Sequence, residues 1–180
     1  VGHYMERKGI LDFIALARSM PQVQFFWFGY TPPSLVPRRV RKAMAQAPAN
    51  LHFPGFVSQE GLREAYCGAD AFVFCSHEET EGIVVLEALA CGVPVLLRDI
   101  PVYRGWLEDG VNVYKAAGTA ELRLRLAALL AGRLPDVTAA GRAVAEARAL
   151  PVIGRELLRR YAALPLPRRR SAALPAHRTA

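Results

Sequence analysis

Long apolar runs are missing from this chain. No stretch of eighteen residues is both apolar and uncharged, so nothing in the sequence reads as a helix able to cross a bilayer. The opening VGHYMERKG has no charged n-region followed by an apolar run, the pattern of a secretory leader. Cysteine is scarce. Cys67, Cys75 and Cys91 show no CxxC or metal-ligand spacing, which predicts small buried apolar side chains in a reducing compartment. The familiar phosphate cradles are absent too: no GxGxxG follows a strand and there is no GxxxxGK[ST]. Asp70 and Asp99 stand alone, so no DxD-type metal motif appears and no metal is expected. No Ser/His/Asp or Cys/His order stands out, and the four scattered histidines read as surface or structural residues. No repeat of solenoid period is present.

Acid is in deficit: 16 Asp and Glu face 23 Lys and Arg, a net charge of +7. Four of those charges, Arg168, Arg169, Arg170 and Arg178, fall in an acid-free stretch, 164–180, that also holds Pro165 and Pro167. This composition predicts a disordered tail, leaving 1–163 as one domain. A second basic cluster, Arg38, Arg39, Arg41 and Lys42, suits phosphates, an anionic membrane surface or nucleic acid, or is simply a solvated helix face. None of the usual nucleic-acid recognition modules is present, so no nucleic-acid partner is expected.

What is there alternates. A helix is predicted over Lys8–Met20, from the stripe Ile10, Phe13, Ile14 and Ala17 and the stop at Pro21. A strand follows at Val23–Phe28. Pro37 opens a helix running to about Ala47, and Leu51–Phe53 forms a short strand. Ser58 caps a helix over Gln59–Tyr66, and Ala71–Cys75 (AFVFC) is an uninterrupted strand of the doubly buried kind. A helix from near Gly82 closes at Gly92 as its C′ residue, ahead of a strand at Val95–Leu97. After a short strand near Val113–Tyr114, Thr119 caps a helix to about Ala131. Two more helices are predicted at Val137–Leu150 and Ile153–Leu164. The pattern is α/β, a doubly wound parallel sheet, which binds ligands at the carboxyl ends of its strands.

The loops at those ends are the place to look for chemistry. In the first, Gly2 and Gly9 bracket Arg7 and Lys8 just before a helix, a weak anion site on its own. The second carries EETEGIVVLEALACGVPVL. Its helix would turn free N–H groups toward the crevice, and its body is apolar nearly all round, which predicts burial on several sides. A partly buried Glu87 would then need hydrogen-bond donors, for which vicinal sugar hydroxyls are suitable. Glu79, on the loop before the helix, could reach the same ligand. Alternatively, Glu78, Glu79 and Glu81 merely favour the helix dipole while Glu87 pairs with an arginine.

These residues resemble the E-x7-E segment of the donor-binding, C-terminal half of family 4 GT-B glycosyltransferases, usually EGFGLVxLEAMAxGxPVV. The RKG loop, FPGFVSQEGLREAY and GADAFVFCS agree in order and spacing, so the likeness runs from Val1 to about Tyr161. The wording YMERKGILDFIALAR and LLRDIPVY is similar to bacterial transferases that place α-glucose on diacylglycerol. The resemblance implies a retaining, Rossmann-like donor domain for a UDP-sugar, with no cofactor or metal. Glu79 would face the donor sugar, and Glu87 the ribose hydroxyls. Backbone N–H groups of Gly82, Ile83 and Val84 would meet the diphosphate or sugar, and Lys8 would neutralise the diphosphate. Phe56 and Val57 would flank the uracil.

Two departures follow. His3 stands where the family's first loop has an arginine, which Arg7 is a candidate to replace. The usual E-G-F-G reads Glu79-Thr80-Glu81-Gly82. The resemblance also implies an upstream half holding the lipid acceptor and the rest of a first strand that ends at Val1-Gly2. The localisation it implies is cytoplasmic, peripheral at the inner face of the membrane. Open alternatives are a polysaccharide or cell-wall precursor as acceptor, or a non-catalytic nucleotide-sugar binding fragment.

Overall fold

Apolar runs too short to be helices become strands, and each is joined to its parallel neighbour by a crossover. In the computed structural model, which describes residues 1–164, the order is α1 (Ile10–Ser19), β1 (Phe25–Phe28), α2 (Arg38–Ala45), β2 (Leu51–Gly55), α3 (Gln59–Cys67) and β3 (Phe72–Phe74), then α4 (Ile83–Ala90), β4 (Val95–Arg98), β5 (Tyr114–Ala116), α5 (Thr119–Leu130), α6 (Thr138–Ala147) and α7 (Leu150–Ala162). Val1–Arg148 form one unit and Ala149 begins a second.

In the first unit every ladder is parallel: β1 pairs with β2, β3 with β4, and β4 with β5. Helices cover both faces. Leu96 packs with Phe13, Phe25, Leu122 and Leu126 on one side. Its neighbours Val95 and Leu97 pack with Tyr66, Val85 and Leu89 on the other. This alternation is that of a sheet buried on both faces, the expected doubly wound architecture. The hydrogen-bonded ladder is interrupted between β1 and β3, where a cavity of about 700 Å³ lies between the two edges.

Several predicted boundaries move, each for a local reason. The first helix does not begin at Lys8. Glu6–Lys8 form a 3₁₀ turn, and Gly9, with φ 75°, is the N-cap of α1. Only glycine fits there, since a Cβ would lie 2.1 Å from the Cys75 carbonyl oxygen. Pro37 is an N-cap rather than a helical residue. Thr119 does not cap α5. Gly118 is the N-cap, and the Thr119 hydroxyl donates to Asp12 Oδ1 at 2.7 Å. Glu121 Oε2 accepts the Ala117 N–H at 2.9 Å. Ser58 caps α3 as expected, accepting from the Gly61 N–H at 3.1 Å, and Gly92 takes the left-handed C′ conformation with φ 72°. The last two helices part at Arg148–Ala149, with Pro151 in the first turn of α7, where its missing N–H does no harm.

The cysteines do not form a buried set. Cys75 is buried and its thiol is pushed up to about 12 by burial, but Cys67 is exposed and Cys91 half-buried, because both sit at helix C-terminal ends. Among the described residues no helix is long and apolar enough to cross a membrane. The described residues of the second unit, taken by themselves, form an amphipathic helix with no buried residue among them, exposing Leu150, Ile153, Leu157, Leu158 and Tyr161 beside Arg159 and Arg160. The predicted disordered tail, 164–180, lies outside the described residues from 165 onward.

Candidate functional site

The polar side chains gather at the carboxyl ends of the strands. Lys8 Nζ donates to both oxygens of Glu79, at 2.7 and 2.9 Å, and the two side chains are 17% and 7% exposed. A bidentate, mostly desolvated pair of this kind is stronger than an exposed ion pair. Ser76, buried at the end of β3, donates its hydroxyl to Glu79 Oε1 at 2.5 Å. Two loops that the sequence separates by about seventy residues are thereby clamped. The His77 N–H donates to the Arg7 carbonyl at 2.8 Å, which holds the same two loops through their backbones.

Just beyond Glu79, Gly82 is the N-cap of α4 with φ 79°, and a Cβ there would lie 2.9 Å from the Tyr103 hydroxyl. The N–H groups of Gly82, Ile83 and Val84 have no acceptor among the described residues. They form a positive helix end with open donors beside the Lys8–Glu79 pair. Tyr103 is fully buried, and its hydroxyl has no partner among the described residues. Burial, and then the charge of Glu79, raise its pKa, so the hydroxyl keeps its proton.

Other predicted residues are placed differently. Glu87 is not buried: it lies on an exposed stripe of α4 with Ile83 and Ala90. The apolar composition of α4 had predicted burial on several sides, with Glu87 partly buried among them. Val85, Ala88 and Leu89 are buried and Val84 and Leu86 half-buried against the core, while Ile83 is 59% exposed. Nor does Glu87 pair with an arginine; its Oε2 accepts from the Tyr66 hydroxyl at 3.1 Å. Arg7 is exposed, and its guanidinium lies 3.4 Å from the Glu78 carbonyl, on the rim of the site. His3 is tied elsewhere, its Nδ1 2.9 Å from the Tyr30 carbonyl. Phe56, 82% exposed, and half-buried Val57 occupy the loop between β2 and α3.

Sequence reasoning missed Ser76, Tyr66 and Tyr103. Ser76 had a signal, since it directly follows the AFVFC strand. The two tyrosines had none, because only the fold brings α3 and the Pro101–Tyr103 turn against α4.

Chemically, the arrangement offers a cation and free N–H groups to a phosphate, and carboxylates to hydroxyls. Residues 1–143 match the family model "Glycosyl transferases group 1". The chain is 40% identical over 161 residues to a processive diacylglycerol alpha-glucosyltransferase of Acholeplasma laidlawii, covering 89% of this chain and 48% of that protein. It is 38% identical over 125 residues to an alpha-galactosylglucosyldiacylglycerol synthase of Streptococcus pneumoniae, covering 68% of this chain and 33% of that one. The chain thus spans about half the length of the first relative and a third of the second. The crystal structure of Anabaena HepE with UDP and glucose superposes with a TM-score of 0.76 over 91% of this chain and 48% of that one, at 21% identity, a likeness of fold.

Proposed function

The chain belongs to the group 1 glycosyl transferases, and from that premise we propose that residues 1–163 are the donor-binding half of a retaining enzyme that moves glucose from UDP to a diacylglycerol-type lipid. The observation that carries this reading is the bidentate Lys8–Glu79 pair beside the open N–H groups of α4. It combines what a nucleotide sugar needs at its reacting end. Lys8 and the α4 N-terminus stabilise the diphosphate as it takes up negative charge on leaving. Glu79 accepts hydrogen bonds from the transferred sugar, Glu87 from the ribose, and Phe56 and Val57 flank the base. Arg7, at the rim, supplements the positive charge. His3 Nδ1 is tied to the Tyr30 carbonyl and takes no part in this reading.

The lipid acceptor and its binding surface belong to an upstream half, as the relatives' greater length and their names support. By this reading the chain alone binds the donor and transfers poorly. Isothermal titration of the chain joined to that half is the test. UDP-glucose is expected to bind more tightly than GDP-mannose, and Glu87→Gln to weaken UDP-glucose by roughly tenfold, the cost of about one charged hydrogen bond. Binding indifferent to Glu87→Gln would reject the ribose assignment.

The proposed seat is the anionic face of a membrane, with α2 as the contact. Its Arg38, Arg39, Arg41 and Lys42 are all exposed, while Val40 alone points fully into the core. Each such charge is worth about 1 kcal/mol near an anionic surface. Co-sedimentation with vesicles should rise with anionic lipid content and drop when Arg38, Arg41 and Lys42 become Gln. Flat binding across lipid compositions would exclude this contact.

A further inference from the structure

Glu87 is a long, flexible side chain on an exposed helix stripe, and such a side chain loses rotamer freedom when it engages a ligand. Its carboxylate is nonetheless already held. Tyr66, in the last turn of α3, is 5% exposed, and its ring is fixed edge-on against Phe72 at 5.4 Å between centroids. Phe72 in turn stacks on Phe74 at 5.7 Å. From this rigid base the Tyr66 hydroxyl donates to Glu87 Oε2 at 3.1 Å. The hydroxyl can act only as a donor to a carboxylate, and burial followed by the charge of Glu87 raises its pKa, so it stays protonated. Glu87 Oε1 has no partner among the described residues and remains free to accept.

We propose that Tyr66 is a positioning residue for donor recognition: it fixes Glu87 in the rotamer that accepts the vicinal hydroxyls of the nucleotide ribose. The inference rests on the assignment of Glu87 to the ribose, and it adds what that assignment lacks, a reason for an exposed glutamate to be preorganised. Tyr66 need not touch the nucleotide. Its effect reaches the ligand through Glu87 alone, so it should be confined to the ribose hydroxyls.

The experiment compares dissociation constants for UDP and 2′,3′-dideoxy-UDP in the wild-type protein, Tyr66→Phe, Glu87→Ala and the double variant. Phenylalanine keeps the ring against Phe72, and unfolding curves verify the fold. The wild type is expected to favour UDP by at least tenfold. Tyr66→Phe should reduce that preference to about threefold while leaving dideoxy-UDP unchanged. Glu87→Ala should abolish the preference, and adding Tyr66→Phe to it should cost nothing more. If Glu87→Ala loses the preference but Tyr66→Phe keeps it, the positioning role is overturned and the ribose assignment stands. If Tyr66→Phe weakens both nucleotides equally, its role is general packing and the inference is overturned. If Glu87→Ala keeps the preference, the ribose assignment and the inference fall together.

Discussion

Lys8→Ala is expected to weaken UDP binding by about 10- to 100-fold, and to reduce kcat/KM of the complete enzyme by about 10²- to 10³-fold. The first figure corresponds to one or two charged hydrogen bonds, the second to loss of a donor aimed at charge that grows in the transition state. What makes the expectation specific is that Glu79 holds Lys8 through both carboxylate oxygens. A diphosphate must compete with that carboxylate for the ammonium group. Glu79→Gln therefore has two opposite effects. It removes the competitor, so UDP should bind several-fold more tightly. It also removes an acceptor for the sugar hydroxyls, so UDP-glucose should gain nothing or bind more weakly, and transfer should collapse. Titration of both ligands against both variants separates the roles. If Glu79→Gln weakens UDP and UDP-glucose in parallel, Glu79 merely positions Lys8 and does not face the sugar.

The parts of this site that were readable from sequence are those whose chemistry is local. The AFVFC run needed only its apolar continuity to be placed as β3, and Ser58 only its position before a polar helix to be placed as a cap. The loops carrying Lys8 and Glu79 could be placed at the carboxyl ends of strands. Their ion pair could not, because it depends on Gly9 letting the backbone pass against Cys75. Glu87 was misplaced for an instructive reason. Apolar residues fill α4 nearly all round, and periodicity cannot tell a stripe reserved for a ligand from one buried in the core. Ile83, Glu87 and Ala90, spaced along one face, are exposed despite two of them being apolar. Tyr66 was invisible altogether, since no sequence pattern pairs the end of one helix with the middle of another. Thr119 shows the converse error: a good capping residue spent its hydroxyl on Asp12 because tertiary contact outbid the local role.

The cavity between β1 and β3 leads to the second large effect. Placing five or six apolar residues ahead of Val1 is expected to raise the melting temperature by roughly 10 °C over the chain that starts at Val1. Gln24, Phe25, Phe26 and Phe28 line the cavity from the β1 side, and Asp70, Phe72 and Val73 from the β3 side. Beside Val1, which also lines the cavity, the Gly2 N–H donates to the Phe28 carbonyl at 2.9 Å. A segment reaching Val1 through the cavity would pair both open edges and cover Phe72, Val73 and Leu126. Two or three buried aliphatic side chains contribute about 3–6 kcal/mol before ordering costs, and 1 kcal/mol moves the melting temperature of a domain this size by about 2–4 °C. A Gly/Ser extension of equal length, which brings no apolar side chains to the cavity, is expected to give little of that gain. Equal stabilisation by the two extensions would mean that the cavity takes up no strand.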